Sequence, residues 1–220
     1  MILSLTLVKV RGIVGLKECH TTIICTWIAG VILASRLSNY QMTPKTQKSA
    51  YSSPWSISVQ ISLFIWRLSW FLSCAWTPKF FNPWRLFVLR TFGAKIEGLP
   101  FVHSTAKIEV PWHIKLHHRA CLGSGVNAYS LGEIEIHEGA TVAQEVYLCT
   151  GTHDFDSANL QLVTKPIIIG KNVFIGARTM VLPGVTISEG AIIGAQSVVT
   201  NDIPPDEVFA GNPAKKIRRR

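Results

Sequence analysis

Residues 167–199 read IIIGKNVFIGARTMVLPGVTISEGAIIGAQSVV, and aliphatic side chains recur in this stretch at every sixth position. The recurring positions are Ile169, Ile175, Val181, Ile187, Ile193 and Val199. Two residues before each of them stands a second small or aliphatic residue: Ile167, Val173, Thr179, Val185, Ala191 and Ser197. A period of six fits neither an α-helix, with about 3.6 residues per turn, nor an alternating strand. It is typical of a parallel β-helix with triangular coils, in which each hexapeptide forms one side and one corner.

The same period extends toward the N-terminus in two further blocks. One block has its aliphatic positions at Ile96, Val102, Ile108, Ile114, Ala120 and Val126, and the next has them at Ile136, Val142 and Leu148. At three hexapeptides per coil, the blocks together predict about five coils. Glycines follow three of the main positions, and we expect them at corners where positive φ is needed: Gly170, Gly176 and Gly194.

Two interruptions of the period predict segments that leave the stack of coils. The step from Val126 to Ile136 is ten residues instead of six, which predicts a bulge near 127–131. The step from Leu148 to Ile169 is twenty-one residues, which predicts a loop over 149–165. Loops that project from a regular scaffold commonly carry its function.

Residues 55–76 read WSISVQISLFIWRLSWFLSCAW, with Arg67 as the one charged residue. The periodicity of this segment does not decide between helix and strand. Two interpretations stay open: a helix that packs on the domain or on a partner subunit, or an in-plane membrane anchor rich in tryptophan. Residues 83–92, PWRLFVLRTF, predict a short helix with proline at its start and Gly93 at its end.

The first 41 residues contain an uncharged run over 19–35. This run is marginal as a membrane span, which needs about 20 residues. It also resembles the core of a signal peptide, and Met42 is an alternative start of translation. We therefore divide the chain into a hydrophobic leader or mis-annotated start over 1–41, an apolar and basic segment with short helices over 42–93, and a β-helix domain over 94–220.

The net charge of +9 is concentrated in the N-terminal part of the chain. Residues 1–90 contain ten Lys or Arg and one acidic residue, whereas residues 91–220 contain twelve of each sign. Because the basic excess lies among tryptophans and aliphatic residues, it suits an anionic lipid surface better than nucleic acid, and we expect no nucleic-acid partner. The odd number of cysteines, five, and the lack of C-x-x-C spacing indicate reduced thiols in the cytoplasm.

The repeat and several local motifs resemble the hexapeptide-repeat acyltransferase superfamily. Within it, the chain is most similar to the colanic-acid-type exopolysaccharide acetyltransferases, which are relatives of the maltose and galactoside acetyltransferases. The resemblance covers about residues 50–220, and it is carried by WRLFVLRTFGAKI (84–96), YSLGEIEI (129–136), YLCTGTHD (147–154), VLPGVTISEGAIIGAQSVVTNDIP (181–204) and AGNPAKKI (210–217). It implies a left-handed β-helix that transfers an acetyl group from acetyl-CoA to a sugar hydroxyl in exopolysaccharide or surface glycan biosynthesis.

The resemblance implies that His153 is the catalytic general base. An imidazole with a pKa near its ordinary value of about 6.5 can accept the proton of a sugar hydroxyl as that hydroxyl attacks the thioester. The transfer is then direct, within a ternary complex. Asn127 and Asp154 are the candidate acceptor-binding residues, although both residue types are also common in turns. The alternative for His153 is a structural hydrogen bond within its loop.

The resemblance also implies a cofactor site without a metal ion. Ala177, Ala195, Thr200 and Asn201 are expected to contact the pantetheine arm of acetyl-CoA. Lys215, and with less support Lys216 and Arg218, are expected to contact its phosphates. The family often has Lys where Asn201 stands and Arg where Lys215 stands. Because such sites are shared between subunits, a homotrimer is expected.

Two other functions are less consistent with the sequence. A γ-class carbonic anhydrase binds zinc through three histidines, and the spacing of His117 and His153 fits this pattern, but Ala158 stands where the third ligand is expected. A non-catalytic scaffold of a membrane-associated glycan assembly complex would need neither AGNPAKK nor the GTHD loop. We therefore expect a cytoplasmic enzyme, located at the inner face of the membrane if residues 55–76 bind lipid.

Overall fold

A computed structural model describes residues 55–220, and the predicted leader and alternative start lie outside the described residues. The described chain begins with α1 (Ile57–Ser73), a short 3-10 helix (Lys79–Phe81) and α2 (Asn82–Thr91). The strands that follow build a three-sided solenoid. None of the helices in residues 55–220 is long and apolar enough to cross a membrane.

Each side of the solenoid is a sheet of short strands. Sheet A contains β1 (Lys95–Ile96), β4 (Ile114–Leu116), β7 (Ile134–Ile136), β12 (Ile167–Ile169) and β15 (Thr186–Ile187). Sheet B contains β2 (Phe101–Val102), β5 (Cys121–Leu122), β8 (Thr141–Val142), β13 (Phe174–Ile175), β16 (Ile192–Ile193), β18 (Glu207–Ala210) and β19 (Lys215–Arg219). Sheet C contains β3 (Lys107–Ile108), β6 (Asn127–Tyr129), β9 (Tyr147–Cys149), β14 (Met180–Val181) and β17 (Val198–Val199).

The chain visits sheets A, B and C in turn, and successive visits pair in parallel. Five complete coils result, followed by a partial sixth in which Ile203 bridges to Ile187 and β18 pairs with β16. Strand β19 then returns antiparallel to β18. The predicted left-handed β-helix of about five coils is confirmed.

The core of the solenoid is the stack of main hexapeptide positions. Val102 and all nine main positions from Ile136 onward are 0% exposed: Ile136, Val142, Leu148, Ile169, Ile175, Val181, Ile187, Ile193 and Val199. Burial of an aliphatic side chain of this size stabilises the fold by about 1.5–3 kcal/mol. No single coil could bury its own aliphatic residues, so the stability of each coil depends on its neighbours.

The register predicted for the second coil is wrong by two residues. Leu116 pairs with Ile96 and Ile136, so Leu116 occupies the main position of that side, and Ile114 occupies the preceding inward position. In the same way, Leu122 and Ala128 replace Ala120 and Val126 as the main positions. The four extra residues are therefore divided, with two before Leu116 and two before Ile136. The hexapeptide pattern does not show this shift, because both inward positions of each hexapeptide are apolar and lie two residues apart.

The glycines that follow the main positions are needed for close packing and not for positive φ, contrary to expectation. A Cβ on Gly176 would lie 2.5 Å from the backbone nitrogen of Ala195, and one on Gly170 would lie 2.7 Å from that of Glu189. Positive φ occurs two residues later along each corner, for example at Arg178 (59°) and Gln196 (57°). The corners therefore place non-glycine residues in the left-handed region.

The two helices cover one end and one edge of the solenoid. Helix α1 begins after Ser56, whose side chain accepts from the backbone N–H of Val59. Its Trp66 is buried and donates its indole N–H to the carbonyl of Ile108 at 2.8 Å. Helix α2 confirms the helix predicted over 83–92, and its Leu86 and Leu89 join the solenoid core. Residues 57–73 are thus helical, which resolves the ambiguity left by their periodicity.

Candidate active site

The predicted loop over 149–165 forms an ordered β-hairpin. Strand β10 (Gly151–His153) pairs antiparallel with β11 (Leu162–Thr164), and His153 lies opposite Leu162. The hairpin leaves the solenoid at the corner where the chain passes from sheet C to sheet A, between β9 and β12. The excursion that the broken period predicts is therefore confirmed, and it presents His153 to solvent.

The imidazole of His153 is held in one orientation by the backbone of its own hairpin. Its Nδ1 lies 2.7 Å from the carbonyl oxygen of Leu160. Because a carbonyl only accepts hydrogen bonds, Nδ1 carries the hydrogen in this contact. In the neutral ring the lone pair is then at Nε2, which is the tautomer that a general base requires.

Leu160 contacts His153 through its backbone, which the sequence did not reveal. Its φ is 46°, in the left-handed region that branched side chains rarely adopt. Backbone strain of this kind persists where surrounding structure fixes the conformation, and it is concentrated at functional sites. Here the strained residue carries the carbonyl that orients His153. Nothing in the side chain of a leucine would have indicated this role.

Asp154 organises the tip of the hairpin. Its carboxylate Oδ1 accepts from the backbone N–H of Asp156 at 3.1 Å, and its own N–H donates to the carbonyl of Gln161 at 2.8 Å. This is the arrangement of an aspartate in a turn. No hydrogen bond within residues 55–220 joins the Asp154 side chain to His153. The structure thus gives Asp154 a positioning role, and its contact with an acceptor stays a prediction.

The buried hydroxyl group of Thr150 fixes the base of the hairpin to the preceding coil. Thr150 is 0% exposed, and its Oγ1 donates to the carbonyl of Tyr129 at 2.6 Å. The same oxygen accepts from the N–H of Gly132 at 2.8 Å. The backbone carbonyl of Thr150 accepts from Lys165 at 2.9 Å, which closes the hairpin. The position of His153 therefore depends on the coil beneath it.

Helix α1 supports the same corner from outside. Its Val59 and Leu63 pack in an apolar cluster with residues from the irregular segments of three successive coils: Val110, Trp112, Leu131 and Leu162. Leu162 belongs to the hairpin, opposite His153. The extra residues that interrupt the hexapeptide period thus stack at one corner, and α1 joins them into a platform for the hairpin.

Asn127 begins strand β6 and does not lie in the predicted bulge. It pairs with Lys107 and Tyr147 in sheet C, and its side chain is on the outward face beside those of Tyr147 and Tyr129. The prediction of a four-residue bulge near 127–131 is wrong, because two of the extra residues enter before Leu116 and the other two enter at 130–133. Asn127 and His153 belong to neighbouring coils, and the described residues include no hydrogen bond between them. Their shared role in binding an acceptor stays a prediction.

Neither the tyrosines nor the cysteine near the hairpin offers an alternative base or nucleophile. Burial, followed by the nearby Cys149, raises the pKa of Tyr147 to about 12. Its phenol therefore remains protonated at neutral pH. The thiol of Cys149 is buried and donates to the carbonyl of Gly151 at 3.2 Å. Within residues 151–164, His153 is the one exposed basic side chain.

The predicted pantetheine contacts are divided between two corners of the solenoid. Ala177 and Ala195 line a cleft of about 270 Å³ at the corner between sheets B and C, together with Gln144, Glu145, Arg178 and Gln196. Thr200 and Asn201 follow β17 at the corner between sheets C and A, where the Asn201 amide donates to the Thr200 hydroxyl at 3.0 Å. One protomer thus does not bring all four residues together.

The predicted phosphate contacts lie on the last strand. Lys215 and Arg218 are exposed on β19, which pairs with β18 at the edge of the final coil. Lys216 forms an ion pair with Glu207. Because that pair occupies the Lys216 ammonium, Lys215 and Arg218 are the better candidates for the phosphates of CoA.

Comparisons with known proteins identify the class to which this fold and hairpin belong. Residues 166–201 match the family model "Bacterial transferase hexapeptide (six repeats)". Over 146 residues the chain is 42% identical to the putative colanic acid biosynthesis acetyltransferase WcaF of Escherichia coli K12, covering 66% of this chain and 80% of WcaF.

Solved structures show the same architecture. A maltose O-acetyltransferase from Clostridium difficile superposes with a TM-score of 0.63 at 26% identity, over 74% of this chain and 89% of that protein. A hexapeptide-repeat acetyltransferase from Vibrio cholerae, solved with acetyl coenzyme A, superposes with a TM-score of 0.67 at 21% identity, over 74% of this chain and 90% of that protein. The chain belongs to the family of hexapeptide-repeat acetyltransferases. Within that family it is a relative of the colanic acid acetyltransferase WcaF.

Proposed function

We propose that this acetyltransferase transfers the acetyl group of acetyl-CoA to a sugar hydroxyl, with His153 as general base. The observation that carries the proposal is the bond from His153 Nδ1 to the Leu160 carbonyl, which leaves Nε2 free to accept a proton. The exposed position of His153 at the end of a projecting strand gives an acceptor access to it.

The reaction needs one proton transfer from the acceptor to His153 and one from His153 to the CoA sulfur. As the hydroxyl oxygen attacks the thioester carbon, Nε2 of His153 takes the hydroxyl proton, and a tetrahedral oxyanion forms. The oxyanion collapses and expels the CoA sulfur, which receives the proton from the imidazolium. Backbone N–H groups of a neighbouring coil are suitable donors for the oxyanion. No covalent enzyme intermediate is required, consistent with the buried Cys149 thiol.

A homotrimer would unite the divided cofactor residues. Three triangular prisms around a threefold axis can place the corner of one protomer that holds Ala177 and Ala195 beside a neighbour's corner that holds Thr200 and Asn201. In this arrangement the pantetheine arm lies between subunits and reaches the hairpin of one of them. Lys215 and Arg218 lie on the final coil, where they would bind the phosphates.

The proposed acceptor is a sugar of an exopolysaccharide or surface glycan precursor. The support is the relative WcaF, whose name assigns it to colanic acid biosynthesis. Asn127 and Asp154 are the proposed acceptor contacts. Because acetyl-CoA is a cytoplasmic metabolite, we place the reaction in the cytoplasm.

The test is identification of the product. The full chain is incubated with acetyl-CoA and a panel of sugars and nucleotide sugars, and products are detected by the mass of an added acetyl group. We expect an adduct that mild alkali removes, because it hydrolyses esters and leaves amides intact. An alkali-stable adduct would show an N-acetyltransferase. A folded chain that binds acetyl-CoA and acetylates no sugar would favour the scaffold function instead.

We also propose that α1 and the segment after it associate with the surface of an anionic membrane. One face of α1 exposes large apolar side chains at helical spacing: Ile57, Ile61, Phe64, Leu68, Phe71 and Leu72. Trp76 and Phe80 continue this apolar face and are more than 70% exposed. Residues 55–96 contain five Lys or Arg and no acidic residue. Arg85 is buried and Arg67 pairs with Glu109, and the three other cations are exposed and complementary in charge to anionic lipid.

Vesicle sedimentation tests the membrane proposal. The full chain should sediment with vesicles that contain phosphatidylglycerol, and Phe64→Glu with Phe71→Glu should abolish sedimentation. Phe155→Glu, which changes an exposed phenylalanine at the hairpin tip, serves as the matched control and should sediment like the wild type. If the wild type stays in the supernatant at low salt, the apolar face does not bind lipid. A change of oligomeric state in the double variant would then assign that face to a subunit contact.

A further inference from the structure

Two columns of polar side chains cover the outward face of sheet A, away from the hairpin. Strand pairing places Lys95, Lys115 and Glu135 in one column, on successive coils. The residues that follow these strands, Glu97, His117 and His137, form the second column. The two imidazoles stack with their centroids 4.6 Å apart and their planes within 8°. The proposed acetyl transfer uses none of these residues.

His117 has a carboxylate at each of its ring nitrogens. Nδ1 lies 2.7 Å from Oε2 of Glu97, and Nε2 lies 2.8 Å from Oε1 of Glu135. A neutral imidazole has one N–H, so it can donate to only one of these carboxylates. An imidazolium donates to both, and a metal ion that replaces the hydrogen on Nε2 would bridge the same nitrogen and the Glu135 oxygen.

His137 completes a set of three ligand atoms. Its Nε2 lies 3.5 Å from the same Glu135 oxygen, and the ligand atoms of His117, Glu135 and His137 all lie within 4.8 Å of one another. Two ligand atoms bonded to one metal at about 2.0–2.2 Å lie at most about 4.4 Å apart, so small shifts of these side chains would let all three bind one ion. The three side chains are also partly buried on a rigid sheet, which lowers the cost of ordering them.

We propose that His117, Glu135 and His137 form a binding site for a divalent transition-metal ion of the Zn²⁺ class. Two imidazoles and a carboxylate are a ligand set that suits such ions. Glu97 supports the site from outside, because a carboxylate on the second nitrogen of a ligating histidine fixes its tautomer and raises its basicity. The metal joins two neighbouring coils of sheet A and leaves coordination positions for water.

Lys115 competes with the metal for Glu135. Its ammonium lies 2.8 Å from the Glu135 oxygen that faces both histidines. Metal binding displaces the Lys115 ammonium, so removal of the Lys115 side chain should raise the affinity of the site for the metal.

Binding of Zn²⁺ to the full chain, produced without a polyhistidine tag, tests the proposal. Competition with a chromophoric chelator should show one ion per chain. His117→Gln and His137→Gln should each weaken binding by about 100-fold, Glu97→Gln by about 10-fold, and Lys115→Ala should tighten it. Substitution of Co²⁺ should give a visible ligand-field spectrum that the histidine variants lack.

His103→Gln is the matched control, because His103 is a partly exposed histidine after sheet B, outside the cluster. It should bind Zn²⁺ like the wild type. All variants are first compared by circular dichroism, and the outward positions of these side chains leave the core intact. The proposal would be overturned if both histidine variants of the cluster bound Zn²⁺ with the affinity of the wild type. It would also be overturned if His103→Gln lost as much affinity for Zn²⁺ as those variants. The measurement needs no acetyl transfer, so its result is independent of the proposed function.

Discussion

At the residue scale, the chemistry of the candidate site depends on one side chain and on the backbone that orients it. The His153 ring is fixed through Nδ1 by a carbonyl of the same hairpin at 2.7 Å. In many catalytic histidines a carboxylate serves this purpose, and Asp154 is adjacent in sequence. The Asp154 carboxylate, however, is engaged with the N–H of Asp156. A backbone carbonyl orients the His153 ring without placing a negative charge beside it.

This geometry gives a prediction for Asp154. Asp154→Asn retains an oxygen that can accept from Asp156 and should lower kcat/KM by less than about 10-fold. Asp154→Ala removes the hydrogen bond that fixes the turn and should lower kcat/KM further, since His153 is then poorly positioned. Steady-state kinetics of thiol release measure both variants. A loss in Asp154→Asn as large as that in Asp154→Ala would show that the charge itself is needed, and would assign Asp154 to the acceptor or to His153.

The sequence predicted His153 but not the residues that position it. The GTHD motif and the broken period identified the histidine, because both are visible in residue types and spacing. Leu160 acts through its carbonyl, which every residue has, so no residue type could indicate it. The same limit applies to the cluster at His117, Glu135 and His137. The sequence predicted no metal site, and its spacing related His117 only to His153, since pairing across coils depends on a register that was predicted wrongly there.

At the scale of elements, the hairpin is held by the buried Thr150 hydroxyl. Thr150→Val preserves shape and removes both hydrogen bonds, leaving the Tyr129 carbonyl and the Gly132 N–H without this partner. We expect a loss of about 1–3 kcal/mol in the free energy of unfolding. We also expect a lower kcat for acetyl transfer, because His153 is no longer held in place. Thermal or urea unfolding and steady-state kinetics measure the two effects.

Thr150→Ser is the control for this prediction. Serine keeps the hydroxyl and should restore most of the activity and stability that Thr150→Val loses. If valine and serine behave alike, the hydroxyl does not position the hairpin.

The inward and outward positions of the coils provide a matched pair of isoleucines. Ile169 is 0% exposed in the core, whereas its neighbour Ile168 points outward and is 36% exposed. Ile169→Ala should lower the free energy of unfolding by about 2–5 kcal/mol, and Ile168→Ala by less than about 1 kcal/mol. Urea unfolding measures both. A larger effect at Ile168 would place the register of β12 one residue away from the one described here.

Element boundaries were predictable where the period was unbroken. From Ile167 to Val199 every inward position was predicted correctly, because the spacing, the glycines and the apolar residues agree there. The pattern failed between Ile108 and Ile136, where two pairs of extra residues enter at the same corner of two successive coils. The two inward positions of each hexapeptide lie two residues apart. A register that is wrong by two residues therefore still has apolar residues at its inward positions, and the pattern does not reveal the error.

At the scale of the whole molecule, the division of the cofactor residues between two corners predicts an oligomer. Ala177 and Ala195 cannot meet Thr200 and Asn201 within one protomer unless the cofactor spans a side of the solenoid. Sedimentation equilibrium should therefore give a mass three times the 24.4 kDa of one chain. A monomer that binds acetyl-CoA with full affinity would contradict the shared site.

The central claim is that His153 is the base of an acetyltransferase, and the most direct test compares His153→Ala with the wild type. Thiol release from saturating acetyl-CoA is measured with an active sugar acceptor, and acetyl-CoA affinity is measured separately by calorimetry. We predict that kcat falls by about 100-fold or more while the affinity for acetyl-CoA is unchanged. If the variant releases thiol at the wild-type rate with the same acceptor, His153 is not the base and this account of the hairpin is wrong.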